Sequence, residues 1–184
     1  MNGEKYILFR VIIIIIILFI GCGKKSSNST TSTKTVSFTS SNAPSDNSVY
    51  LEEVSKNNDE VTLAAQIKGG SDVFGTAIEI KFDGSKVSFV SAEEGIYFNQ
   101  GTVGTSTFSA NLEQGDSSIL LIGINRKVDV RGVPGDGILC RIVFKALAEQ
   151  TDTPISFNTV NSSLYDSGKV SRGNSWIGGS LSYK

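Results

Sequence analysis

The chain has 184 residues, with 17 basic and 18 acidic side chains, a net charge of -1 and no histidine. That balance argues against a basic face for nucleic acid or an anionic surface. The missing imidazole removes the commonest general base, the histidine-dependent nucleophile triads and most zinc sites; paired carboxylates could still support hydrolysis, but no spacing selects such a pair.

In chain order, the first element is an apolar run, Val11 to Ile20, behind Lys5 and Arg10. It is about half the roughly 20 residues that a helix needs to cross a bilayer, so a basic start with a short apolar middle reads as an export signal. The run ends in Leu18-Phe19-Ile20-Gly21-Cys22, which resembles the lipobox of bacterial lipoproteins, with Phe19 where leucine is usual. That resemblance implies removal of residues 1–21 and lipid on Cys22, and so attachment to a membrane. An uncleaved amino-terminal anchor and an ordinary signal peptide are the alternatives. Gly23 stands where many inner-membrane lipoproteins carry aspartate, which favours an outer-membrane or cell-surface address. With Cys22 lipidated, Cys140 has no partner and no disulfide framework is expected.

Residues 22–48 are mostly Ser, Thr, Asn and Lys, too polar to offset the entropy of ordering, and read as a flexible tether. A tether of about 25 residues spans on the order of 25 to 30 Å. Val36 and Phe38 alternate with polar neighbours as a short edge strand would, but the pattern stops there and a linker is the favoured reading.

From Tyr50 onward the period is two. Val61, Leu63, Ala65 and Ile67 share one face, then Ile78, Ile80 and Phe82, with Asp83-Gly84 as a turn. Val87 and Phe89 follow, then Phe108, Ala110 and Leu112. Ile119 to Ile124 is nearly continuous, as a strand covered on both sides or central in its sheet would be. Pro134-Gly135-Asp136-Gly137 is turn chemistry and leads into Ile138, Cys140, Ile142, Phe144 and Ala146, which puts Cys140 in the core. Ile155 with Phe157, and Ile177 with Leu181 and Tyr183, close the series. No helix-period segment occurs, so the fold class is all-β, an antiparallel β-sandwich over residues 49–184.

The order of these pieces resembles cohesin domains. Val73-Phe74-Gly75-Thr76-Ala77-Ile78-Glu79-Ile80-Lys81-Phe82-Asp83 is similar to that family's third strand, and Val87 through Gly95 to its fourth. Gly137-Ile138-Leu139-Cys140-Arg141-Ile142-Val143-Phe144-Lys145 is similar to its apolar strand after Asp-Gly, and Ile155-Ser156-Phe157, Leu164-Tyr165-Asp166 and Ile177-Gly178-Gly179-Ser180-Leu181 to its closing strands. The resemblance implies a nine-stranded jelly roll, no catalysis, no cofactor, and recognition of a dockerin, a small calcium-loaded module, through one sheet face. Where well-known cohesins present Asn and Asp on the third strand, this chain has Gly75 and Ala77. The surface most comparable to the dockerin face combines Ala77, Glu79, Lys81, Thr107, Ser109, Asn111, Asn125 and Arg126; its plain alternative is a solvated sheet face.

Trp176, the only tryptophan, falls in phase with Gly178, Ser180 and Ser182, where it could anchor a partner, stack on a sugar, or cap the sandwich. Tyr97-Phe98 reads as a plug at one end. Asp83, Asp116, Asp129, Asp136 and Asp166 all sit at turns, where carboxylates cap their own backbone; no loop has calcium-hand spacing, so no metal is expected. The sequence thus points to a lipid-anchored, extracytoplasmic, non-catalytic protein-binding module. The alternatives are a polysaccharide-binding module, a structural lipoprotein of an envelope secretion or pilus assembly and, last, a carboxylate hydrolase.

Overall fold

The computed structural model describes residues 33–99, 105–127 and 131–184. The export segment, Cys22, the first part of the tether and Asp129 lie outside the described residues. Twelve strands are present among them: β1 (Val36–Ser40), β2 (Ser48–Asn57), β3 (Glu60–Phe82), β4 (Val87–Glu94), β5 (Ser106–Glu113), β6 (Asp116–Arg126), β7 (Val133–Ala146), β8 (Gln150–Phe157), β9 (Ser163–Asp166), β10 (Ser171–Arg172), β11 (Ser175–Ile177) and β12 (Gly179–Tyr183).

The two alternating runs 61–67 and 78–82 are the ends of one long strand that serves both layers of the sandwich. The first half of β3 pairs with β2 and β7, β7 pairs with β4, and β11 runs parallel to β2. The second half pairs with β6 on one side and with β9 and β8 on the other; β5 extends from β6, and β12 and β1 extend from β8. The crossing between layers falls at residues 68–73. There Gly69 (φ +64°) and Asp72 (φ 54°) take left-handed backbone and the register with β7 shifts twice. The Asp72 carboxylate fixes the corner by accepting the Ser167 hydroxyl at 2.8 Å and the Gly132 N–H at 2.7 Å, and these bonds, the Ser167 one first, hold its pKa below the usual carboxylate value. A Cβ on Gly132 would sit 2.1 Å from the Asp72 carbonyl carbon, so only glycine fits there.

One buried cluster joins the layers. Val61, Leu63, Ala65 and Ile67 meet Ile78, Ile80, Phe82, Leu120, Ile122 and Ile124, all buried. The Phe144 ring packs edge-on to Phe82 at 5.2 Å and to Phe89 at 6.5 Å. Truncating a ring in such a position costs about 3–5 kcal/mol. Cys140 lies in this core as a free thiol, and burial pushes its pKa to about 12. Tyr97 and Phe98 plug one end as expected, buried and edge-on at 5.2 Å, with the Tyr97 hydroxyl donating to the Val133 carbonyl at 2.8 Å.

Two sequence expectations change. Val36 and Phe38, placed in the tether, are 0% and 8% exposed and belong to β1, so the sandwich begins before Val49. β1 pairs with β12 through one edge, while on the other the Val36 N–H donates to the Asn58 carbonyl and the Phe38 N–H to Glu53 Oε2, both short bonds (2.8 and 2.7 Å). It therefore covers backbone groups that an open edge would leave bare. The all-β sandwich itself is as expected, but it is divided into more strands than the nine of the jelly roll, with β1 added at the start and the closing segments split. Residues 158–162 separate β8 from β9, and the final run breaks at Gly178, so that β11 joins one layer and β12 the other.

Most turn acids cap backbone as expected. Asp83 accepts the Ser85 N–H at 3.0 Å, Asp116 the Ser118 N–H at 2.8 Å, and Asp166 the Val170 N–H at 2.9 Å. Asp136 instead reaches across to the Gly69 N–H at 2.7 Å.

Candidate functional site

Alternation sends Ile78, Ile80, Leu120, Ile122 and Ile124 inward, so the residues between them make the outer face of the β5–β6–β3 layer. Register sets three rows across it: Gly75, Asn125 and Thr107; then Ala77, Gly123 and Ser109; then Glu79, Leu121 and Asn111. All eight residues singled out from the sequence lie on or beside this face. Lys81 continues the β3 column, and Arg126 ends β6, where its Nη1 donates to the Arg131 carbonyl at 3.1 Å.

The middle of the face is hollow because its central row carries almost no side chain. A depression of about 380 Å³ opens over Ala77 and Gly123, walled by Ser109 and Asn111 on one side, Glu79 and Asn161 on the other, and Leu121 beside them. Polar neighbours lean over the glycines. A Cβ at Gly75 would meet Asn125 Oδ1 at 2.2 Å, and one at Gly123 would meet Ser109 Oγ at 3.1 Å. Leu121 is 41% exposed at the centre, an apolar contact set among hydroxyls and amides.

Glu79 behaves differently from its neighbours. Although it stands on the solvent side of the sheet, it is only 7% exposed, because residues 158–162 fold over it. Its Oε1 accepts the Asn158 amide at 2.7 Å and its Oε2 the Asn161 amide at 2.6 Å, while Lys81 Nζ lies 3.7 Å from Oε1. The Asn158 bond first, then the Asn161 bond and the Lys81 charge, hold its pKa below the ordinary 4.5. A carboxylate with a depressed folded pKa adds stability above its unfolded value and loses it as pH falls through the folded one. Glu79→Gln should therefore unfold more readily than wild type at pH 7, and the difference should shrink as pH drops below about 4.5. Urea titrations of both proteins at neutral and acid pH check this.

Trp176, placed outward from its phase, is half-buried with its ring 5.2 Å from Phe157 and packed on the core, so it caps the sandwich. With Tyr97 and Phe98 buried as well, neither aromatic cluster offers the exposed platform that sugar stacking requires. Glu79 is the one acid lining the depression among the described residues. Sequence reading missed Leu121 and Gly123, which lie inside an apolar run, and the loop 158–162. For the loop the available signal was two asparagines flanking Thr159 and Val160, a turn composition.

The cohesin domain family model matches residues 48–177, that is, β2 through β11. Among curated proteins none matches in sequence. A type II cohesin domain from the cellulosome of Acetivibrio cellulolyticus is similar in structure, with a TM-score of 0.61, 17% identity, and coverage of 74% of this chain and 95% of that one. A non-cellulosomal cohesin from the hyperthermophilic archaeon Archaeoglobus fulgidus gives a TM-score of 0.54 at 13% identity, covering 71% of this chain and 86% of that one. The sixth cohesin of Acetivibrio cellulolyticus scaffoldin B, solved in complex with a Cel5 dockerin mutant, gives 0.54 at 15% identity, covering 72% and 97%.

Proposed function

The chain belongs to the cohesin domain family, and from that membership we propose that it is a non-catalytic, membrane-tethered module that docks a calcium-loaded, dockerin-type protein on its β5–β6–β3 face. Cohesin domains bind dockerins, so a protein partner follows from the family. What carries the choice of face is its shape. A shallow hollow floored by Ala77 and Gly123, rimmed by hydroxyls and amides around one exposed leucine, suits an opposing protein surface better than a small substrate.

The anchor reading rests on the apolar run before Cys22 and the polar residues after it. Lipid on Cys22 would hold the domain a tether's length from a bilayer, at an outer membrane or cell surface. Cys22→Ser should then move the protein from the membrane to the soluble fraction.

Calorimetric titration of the domain with a panel of calcium-loaded type I and type II dockerin modules tests the docking. The expected result is saturable one-to-one binding to at least one module, lost when a chelator strips the partner's calcium. Absence of binding across the panel would contradict it.

A further inference from the structure

Residues 158–162 are held on the outer face by more than the two Glu79 amide bonds. The Asn158 N–H donates to the Glu79 carbonyl at 2.8 Å, and the Glu79 N–H donates to Ser162 Oγ at 3.0 Å. Within the loop, the Asn161 and Ser162 N–H groups both donate to the Asn158 carbonyl, at 3.2 and 2.9 Å. At the tip of this tied turn sits Val160, 87% exposed. Leu121 flanks Glu79 from β6, while the loop covers it from the opposite side. One buried carboxylate thus ties down the loop that carries the exposed Val160 and, across the β3–β6 ladder, pairs with the exposed Leu121.

Charge narrows what could cover this surface. Both Glu79 oxygens are taken by amides, Lys81 is paired with that carboxylate, and Ser109, Asn111 and Asn161 around the hollow are neutral. A charged group lowered into the hollow would lose water and gain no opposite charge.

We propose that the 158–162 loop is a specificity element of the binding face. It presents Val160 as a second apolar anchor in addition to Leu121, Glu79 is the positioning residue that holds the loop, and the partner that fits is uncharged between its apolar contacts. This rests on the reading that the face docks a protein. Preorganising the loop by the Glu79 bonds spares the partner the entropy of ordering it.

Titration of wild type, Val160→Ser and Glu79→Gln with the same calcium-loaded dockerin panel tests the proposal. Val160→Ser should weaken binding by about tenfold or more while leaving the melting temperature unchanged, because the side chain contributes little to the fold. Glu79→Gln should weaken it too, and should also speed hydrogen exchange at the Asn158 and Ser162 amides, which a contact role alone would not do. Wild-type affinity should change less than about twofold between low and physiological salt. If Val160→Ser binds like wild type while Gly123→Arg does not bind, this inference is overturned and the docking face stands. If wild type binds no module, both fall.

Discussion

Phe38→Ala will lower the unfolding free energy by about 3–5 kcal/mol, the usual cost of emptying a buried aromatic site. That is a large part of the roughly 5–15 kcal/mol by which a domain is stable. The size follows from where β1 lies. The Phe38 ring is 8% exposed, its tip fills the space where a Cβ on Gly179 would be, and its N–H is tied to Glu53 across the seam between the layers. In urea, the midpoint should fall with an unchanged slope, since the same surface is exposed on unfolding. If residues 33–48 were a solvated linker, the same substitution would change stability by less than about 0.5 kcal/mol.

The second large effect is on binding. Gly123→Arg will weaken partner binding by at least about a hundredfold, or about 2.8 kcal/mol, and leave the fold in place. Position 123 is in the middle of a strand with its open side toward solvent; the nearest atom to an added Cβ is the Ser109 hydroxyl, which can rotate away. A glycine inside a strand contributes no packing, so a side chain there does not weaken the sheet. It does fill the hollow between Ala77, Ser109 and Leu121 with a long cation. Thr62→Arg, on the outer face of the other layer beside Arg141 and Val143, is the matched control and should bind like wild type. Equal loss in both variants would place the effect in general charge.

Why some of this was legible in the sequence and some was not comes down to how local the signal is. Val61 to Ile67, Ile78 to Phe82 and Cys140 to Ala146 alternate over enough residues to mark one buried face, and these strands and the core position of Cys140 are where they were expected; at Ile138 and Leu139 the alternation breaks, with Leu139 buried and Ile138 only partly so, where the register between β7 and β3 shifts. β1 has only two apolar residues, and what makes it a strand is β12 at the far end of the chain. The layer crossing at Gly69 to Asp72 shows no apolar pattern at all; its signal is backbone sign and the reach of one carboxylate to Gly132 and Ser167. The outer face was legible as alternating polar positions, but Glu79 read as a solvated contact, because nothing local shows that Asn158 and Asn161 close over it. Trp176 could not be assigned among its three readings for a similar reason: phase is a poor guide in a three-residue strand, and the ring settles on Phe157 as a cap.

Hydrogen exchange of the domain, alone and saturated with a calcium-loaded dockerin that it binds, tests the docking face most directly. Exchange should slow across residues 75–81, 107–111, 119–125 and 158–162 on binding, with residues 62–66 and 141–145 of the opposite layer unchanged. Protection confined to that opposite layer, or to the plugged end around Tyr97, would contradict it.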